Sequence, residues 1–317
     1  MNFNKQILKS YKNINKLIIN TPLQYSERLS KKYNCNIFLK REDLQITRSF
    51  KIRGALNKII NLKNIKNSVV CVNGIVCASA GNHAQGVAYA TNKLNIKSDI
   101  FIPYNTPKQK INKIINFNKK SEIHLVGKTF DECLSNANKF ALKYNKELIH
   151  PFDDYDIIYG QGTIGLEINE LINPDIIIST IGGGGLLSGL KLSKNINTTL
   201  IGVEPKYCDS MSQSIKKKKI INVIPKNNFV DGATVSKIGK KNFNICKNIK
   251  IYTCSINEIC KEIIDLHNED GIIAEPAGVL PFTVLNKINI KNKNVVIILS
   301  GGNSDIYRYT SIINQIK

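Results

Sequence analysis

Three short apolar runs each end directly in a turn rich in glycine and serine, and this recurrence limits the fold more than any other feature. Ile75–Ala78 leads into Ser79-Ala80-Gly81-Asn82, Asp175–Thr180 into a turn holding Gly182-Gly183-Gly184-Gly185, and Val295–Leu299 into Ser300-Gly301-Gly302-Asn303. Short β-branched runs bounded by turn residues read as buried strands. Further runs of this kind, Asn36–Leu39, Val69–Val72, Asp99–Ile102, Ile123–Val126 and Leu200–Val203, alternate with amphipathic stretches. That alternation predicts an α/β fold with largely parallel strands. Ligands of open parallel sheets sit beyond the carboxyl ends of the strands, so the three turns are expected to line one crevice.

Composition narrows the function. The chain has 317 residues, 42% of them apolar, enough to bury the core of one large domain or two ordinary ones. No apolar run approaches the roughly 18 residues of a membrane span, so no membrane partner is expected. The eight Cys are scattered without a C-x-x-C pair and there are only four His, which argues against a disulfide framework or a structural zinc site. A reducing, cytoplasmic setting is expected. No secretory signal is expected, because the first residues lack an apolar h-region and a small-residue cleavage site. The absence of acid before Glu27 leaves a transit peptide open, while Ile7, Tyr11, Ile14 and Ile18 fit a first amphipathic helix. A net charge of +21 would ordinarily suggest nucleic acid. The excess of Lys is spread along the chain with Asn and Ile, which share A/T-rich codons, so coding bias explains it. Lys216–Lys219 lacks interleaved aromatics and is expected on a solvated loop. No nucleic-acid partner is expected.

Two constellations carry chemistry. A strand that runs into Gly182, Gly183, Gly184 and Gly185 and then at once into Leu186-Leu187-Ser188-Gly189-Leu190 presents unshielded backbone amides at a helix start. Such a nest binds phosphate. The spacing fits neither a dinucleotide fingerprint nor a Walker loop. The alternative is a tight turn whose glycines let two backbones approach. The second constellation is Ser49-Phe50-Lys51-Ile52-Arg53-Gly54-Ala55. Lys51 there reads either as a solvated helix residue or as an amine desolvated between Phe50 and Ile52. A neutral lysine amine can form a Schiff base. Imine-forming lysine and phosphate nest together are the anatomy of a pyridoxal phosphate site.

The same segments, with Ser79-Ala80-Gly81-Asn82-His83-Ala84-Gln85-Gly86, Gly160-Gln161-Gly162-Thr163 and Ala274-Glu275-Pro276-Ala277-Gly278, resemble the threonine/serine dehydratases, fold-type II pyridoxal phosphate enzymes. The motifs occur in family order from Thr21-Pro22-Leu23 to Ser300-Gly301-Gly302-Asn303, nearly the whole chain. Pro151-Phe152-Asp153 looks more like the biosynthetic threonine dehydratases than the serine racemases, which usually carry Asn where Phe152 stands.

The resemblance implies roles. Lys51 looks like the Schiff-base lysine and general base, Phe50 like the residue packing on the cofactor ring, and Asn82 like the partner of the ring hydroxyl. Gly182, Gly183, Gly184 and Gly185 with the Leu186 amide match the phosphate loop, and Ser300 the hydroxyl facing the pyridine nitrogen. Ser79, Ala80, Asn82 and His83 match the loop that holds the substrate carboxylate. His83 is alternatively a packing or loop-orienting histidine. Glu275 supports the ring side or merely caps a helix before Pro276. Serine racemases place a Ser where Ala80 stands, and metal-dependent ones an Asp where Ser210 follows Val203-Glu204-Pro205. A divalent metal is therefore not expected, while a monovalent ion held by carbonyls stays open.

The implied fold has two open, twisted, mostly parallel sheets flanked by helices. The implied domains are a large cofactor-binding one, 1–65 plus 153–317, and a small inserted one, 66–152, with no C-terminal regulatory domain and hence no isoleucine inhibition at a separate site. The implied activity is α,β-elimination of L-threonine to 2-oxobutanoate and ammonia, the first step of isoleucine biosynthesis, with a side activity on L-serine giving pyruvate. Serine dehydratase and serine racemase are the alternatives within the fold. A basic nucleic-acid-binding protein or a catalytically dead scaffold is the alternative outside it. A homo-oligomer, dimer or tetramer, is expected.

Overall fold

The computed structural model of the chain describes residues 3–65 and 69–305. The expected start of the small domain at 66 and end of the large one at 317 lie outside the described residues. Ten strands form two sheets among them. The strands are β1 (Leu23–Tyr25), β2 (Asn36–Arg41), β3 (Ile75–Ala78), β4 (Ser98–Ile102), β5 (Glu122–Leu125), β6 (Glu147–Leu148), β7 (Ile176–Thr180), β8 (Thr199–Pro205), β9 (Lys250–Cys254) and β10 (Asn294–Leu299). The helices are α1 (Phe3–Ile14), α2 (Glu27–Tyr33), α3 (Lys51–Lys63), α4 (Val69–Asn73), α5 (Asn82–Leu94), α6 (Lys108–Phe117) and α7 (Phe130–Lys143). They continue with α8 (Tyr155–Leu171), α9 (Gly185–Ser193), α10 (Ser210–Lys217), α11 (Lys240–Cys246), α12 (Ile256–Asp270) and α13 (Pro276–Val279).

One sheet is six-stranded in the order β1-β2-β10-β7-β8-β9, the other four-stranded in the order β5-β4-β3-β6. Every pairing is parallel except that of β1 with β2. The expected α/β architecture of two mostly parallel sheets flanked by helices is therefore what the chain adopts. The wholly buried faces of β7 and β3 explain their unbroken apolar sequences, since parallel strands are covered on both sides.

Three expectations need correction. Val69–Val72 is not a strand but part of α4, with Val72 75% exposed. The chain turns at Gly74, φ +85°, straight into β3, whose two sides are taken by β4 and β6, so no place beside β3 remains for it. Lys216–Lys219 does not lie on a plain loop. Lys216 and Lys217 close α10, and Lys218 caps it in the left-handed conformation, all three exposed. Cations there complement the helix dipole. The first amphipathic helix forms, with Ile7 and Ile14 buried, but it ends before Ile18.

Packing brings the chemistry-bearing helices together. A Cβ on Gly160 of α8 would lie 2.6 Å from Gly54 Cα of α3, and one on Gly189 of α9 would lie 2.5 Å from the Gly162 nitrogen. The Gly160-Gln161-Gly162 motif thus serves close crossings of α8 with α3, which begins at Lys51, and with α9, which begins at Gly185. Beneath them Arg53, fully buried, donates to Glu42 at 2.7 and 2.9 Å and to Glu167 at 2.6 and 2.8 Å. Lys40 adds a 2.6 Å contact to Glu167 and a 2.6 Å bond to the Thr21 carbonyl. Each buried charge has a partner, and removing one from such a cluster costs about 3–5 kcal/mol.

Candidate active site

The carboxyl ends of β7 and β10 are neighbours, and the turn that follows β10 meets the start of α3. Phe50 N donates to the Ser300 carbonyl at 3.1 Å, and Ser49 forms an isolated bridge with Gly301. Ser300 is thereby buried beside the residue preceding Lys51. Lys51 is partly buried, its Nζ donating to the Pro151 carbonyl at 2.9 Å and lying 5.3 Å from the Phe50 ring centroid. Burial pulls the amine down to about 8, with the Glu275 carboxyl acting in the opposite direction. The desolvated reading of Lys51 is the one its surroundings support.

The glycine turn carries both readings at once. Gly184 has φ +91° and caps α9, a conformation that favours glycine. A Cβ on Gly183 would fall 2.3 Å from the Phe152 ring, so this glycine is needed for close packing as well. Asn242 Nδ2 donates to the carbonyls of Gly183 at 2.8 Å and Phe152 at 3.1 Å, fixing the turn from behind. The first bond within α9 runs from Ser188 N to the Gly184 carbonyl. The amides of Gly185, Leu186 and Leu187 come before it, which is the donor set and dipole end a phosphate fits. The residues present therefore suit a phosphate-bearing cofactor held beside a low-pKa lysine.

The turn after β3 forms the facing wall. The Ser79 hydroxyl accepts from Gly81 N at 3.2 Å, and α5 starts at Asn82. Ser79, Ala80, Gly81 and Asn82 are half-buried, and a Cβ on Gly81 would meet nothing within 4 Å. His83 is buried and its Nε2 donates to the Ile149 carbonyl at 2.9 Å, because a carbonyl can only accept. Burial, aided by the nearby Lys51, pulls it down to about 3. The imidazole is a neutral loop-orienting group, and only its backbone amide belongs to the helix start.

Asn82 is joined to the other sheet. Its Nδ2 donates to Glu275 Oε1 at 2.7 Å, and its Oδ1 accepts from Asn303 Nδ2 at 2.8 Å. Glu275 does not cap α13 with its side chain. Burial, with Asp231 as a second cause, raises its carboxyl to about 7. Sequence reasoning missed Asn242 and the 230–235 loop, which packs on Gly182 through Ala233, and gave Asn303 a place in the crevice but no role. Asp231-Gly232 between apolar residues was the available signal.

Glu204 lies in β8, in the segment where the sequence leaves a monovalent ion open. Glu204 accepts from the amides of Met211 at 2.8 Å and Ser212 at 2.9 Å, so both oxygens cap α10. Burial raises this carboxyl to about 8. Ligand atoms of Asp99, Glu122 and His124 also lie within 4.8 Å of one another. Asp99 there is held by His124 at 2.8 Å and Lys146 at 2.5 Å. Among the described residues no helix is long and apolar enough to cross a membrane.

Comparison with known proteins bears directly on this cleft. The family model described as pyridoxal-phosphate dependent enzyme matches residues 14–301. The biosynthetic L-threonine dehydratase IlvA of Halalkalibacterium halodurans is 44% identical over 314 residues, covering 96% of this chain and 75% of the relative. That of Bacillus subtilis is 43% identical over 314 residues, covering 96% and 74%. Among solved structures, the processed form of threonine deaminase isoform 2 from Solanum lycopersicum superposes with a TM-score of 0.92 at 34% identity, covering 98% of this chain and 86% of that one. Maize serine racemase superposes with a TM-score of 0.89 at 26% identity, covering 98% and 97%.

Proposed function

Given that this chain belongs to the pyridoxal-phosphate-dependent enzymes, in their threonine/serine dehydratase family, we propose that it converts L-threonine to 2-oxobutanoate and ammonia, the step that opens isoleucine synthesis, with L-serine as a side substrate giving pyruvate. The observation that carries this reading is the meeting, in one cleft, of a buried lysine amine held near pKa 8 with two helix starts whose first amides are unbonded.

In this reading pyridoxal phosphate, when bound, supplies the electron sink for negative charge at the substrate Cα. The chain supplies the rest. Lys51 holds the cofactor and, with its amine kept near 8, can take up and return the Cα proton at neutral pH. Gly182, Gly183, Gly184, Gly185 and the Leu186 amide hold the phosphate, and Phe50 packs on the ring. Ser300 faces the pyridine nitrogen with a neutral hydroxyl, which cannot keep that nitrogen protonated as a carboxylate would. Asn82 meets the ring oxygen. Ser79, with the Ala80 turn and the amides of Asn82 and His83 at the start of α5, takes the substrate carboxylate. Ala80 offers no proton from the face opposite Lys51, which favours elimination over racemisation.

Residues 1–65 with 153–317 form the larger unit of this reading, and 66–152 the smaller, inserted one. All four strands of the smaller sheet fall in the second range. α3 packs beneath them through Ile52, Ala55, Leu56 and Ile59, which makes it the element on which closure would turn. Lys110 of α6 reaches Asp231 across the cleft mouth at 2.6 Å, a contact suited to the closed form. We place the enzyme in the cytoplasm as a homo-oligomer.

Steady-state kinetics on L-threonine and L-serine, with product identification, test the proposal. It predicts 2-oxobutanoate from threonine at the higher kcat/KM. A clear preference for serine, or release of D-serine at the rate of pyruvate, would overturn it in favour of serine dehydratase or racemase.

A further inference from the structure

Asn82 is an amide whose two ends look alike in shape but differ in chemistry: one donates, the other accepts. Which end faces a ligand is fixed only by its fixed neighbours. Here the chain of neighbours ends on the backbone. Asn303 Nδ2 donates to the Thr47 carbonyl at 2.9 Å, an acceptor that cannot reverse its role. That bond forces the nitrogen end of Asn303 toward Asn82, whose Oδ1 then accepts at 2.8 Å. The Asn303 backbone amide donates to Glu275 Oε2 at 3.2 Å, which turns the other carboxylate oxygen to Asn82 Nδ2 at 2.7 Å. Glu275 is itself pinned, its amide donating to the Gly301 carbonyl at 3.1 Å. Reversing Asn82 would set donor against donor at Asn303 and oxygen against oxygen at Glu275. The nitrogen end thus stays on the Glu275 side, where Lys51 feels the same carboxylate. One N–H hydrogen of Asn82 is left after the bond to Glu275.

We propose that Asn303 and Glu275 are positioning residues that lock the Asn82 amide so that it offers an N–H, not an oxygen, to the cofactor's ring oxygen and holds that oxygen ionised. This rests on the reading that Asn82 meets the ring oxygen. Neither residue need touch substrate. The lock also spans the two sheets, since Asn82 opens α5 while Glu275 and Asn303 follow the six-stranded sheet's side of the cleft.

The test is the absorption of the purified holoenzyme across pH, which separates cofactor with an ionised ring oxygen, visibly yellow, from cofactor with a protonated one, absorbing in the near ultraviolet. Asn303→Asp puts an acceptor where Thr47 and Asn82 need a donor. The yellow fraction at neutral pH should fall roughly tenfold relative to the near-ultraviolet form, the scale of one charge-assisted hydrogen bond. Glu275→Gln, which can still offer one oxygen to Asn82, should give a smaller shift in the same direction. If Asn303→Asp fails to fold, Asn303→Ala, which removes the side-chain donor without adding charge, is read in the same way. Asn82→Ala separates the two levels of the argument. An unchanged spectrum in Asn82→Ala overturns the assignment of Asn82 to the ring oxygen and the lock with it. A shifted spectrum in Asn82→Ala beside an unchanged one in the Asn303 variants overturns the lock alone.

Discussion

Two helices begin at the cleft, one from each sheet, and they are built for different tenants. α9 begins at Gly185 after Gly182, Gly183 and the left-handed Gly184, with Gly183 and Gly185 packed against Phe152 and the turn tied by Asn242. α5 follows Ser79-Ala80-Gly81, half-buried, with open space beside Gly81. Both offer unbonded amides and the positive end of a helix dipole. The difference lies in what surrounds them. The sealed turn suits a phosphate that stays for the life of the protein, and the open one suits a carboxylate that enters and leaves at every turnover.

The largest effect removes the group that serves both ends. Lys51→Ala is expected to abolish turnover and the cofactor's visible band together, checked by absorption and a threonine assay on the purified variant. Activity near that of the parent chain would sink the assignment of Lys51. The next effect separates the two helix starts. Gly183→Ala drives a methyl into the Phe152 ring, an overpacking of about 1–3 kcal/mol, so cofactor binding should weaken roughly 10- to 100-fold by titration of the apo form. Gly81→Ala meets open space and should leave cofactor affinity and folding stability unchanged within about 0.5 kcal/mol. Its methyl narrows the substrate mouth instead, raising KM for threonine about tenfold. If both variants damaged cofactor binding equally, the contrast between the ends would be wrong.

Much of this contrast is legible in the sequence, because glycine runs and strand-to-turn junctions are local signals. Gly182–Gly185, Lys51 and the Ser79–His83 turn needed no tertiary information to be singled out. Arg53 was visible only as a letter in a motif, since its partners Glu42 and Glu167 are 11 and 114 residues away. Asn242 escaped, and Asn303 was placed in its turn without a role, for the same reason: an Asn in a Lys- and Asn-rich chain carries no signal until its partners are known. Val69–Val72 misled because β-branched runs favour strands, while the available sheet edges decide whether one forms. β1, β6 and β9 were overlooked because they are short or only half-buried, so their patterns are weak.

The two ends also rest on different histidines, and acid should part them. His150 Nδ1 accepts from Phe152 N at 3.2 Å and Asp153 N at 2.8 Å, which holds the residue that seals the glycine turn. Burial pulls His150 down to about 4 and His83 to about 3. A folded pKa below the ordinary 6.5 means that neutral histidine contributes stability above that pH, lost as pH falls toward the folded value. Tm should therefore decline from about pH 6.5 downward. Cofactor should leave the α9 end as His150 protonates, because the ring then loses the acceptor that holds Phe152 over the glycine turn. His150→Asn keeps an acceptor that does not titrate and should flatten this decline. Measured cofactor release in step with global unfolding, in parent and variant alike, would erase the distinction.

The smallest effect tests the open end for what it lacks. Racemisation requires a proton donor on the substrate face opposite Lys51, and in the serine racemases that this chain resembles a Ser precedes the Gly-Asn-His of the loop. Ala80 stands there, with a methyl that neither donates nor accepts. Ser79 is a poor substitute, because its hydroxyl already accepts from Gly81 N at 3.2 Å and its side chain points away from that of its neighbour. A stray water would forgo much of the roughly 10²–10⁴-fold benefit of a placed acid. Ala80 is half-buried at the mouth, so one added hydroxyl can be accommodated without repacking a core. Ala80→Ser should leave threonine elimination within about threefold of the parent, since a single weak hydrogen bond is at stake, while D-serine becomes detectable from L-serine. Chiral chromatography reads both reactions in one sample. D-serine already forming in the parent at a rate comparable to pyruvate would show that the open end carries an acid elsewhere, and that the contrast drawn between the two helix starts omits one of its functional groups.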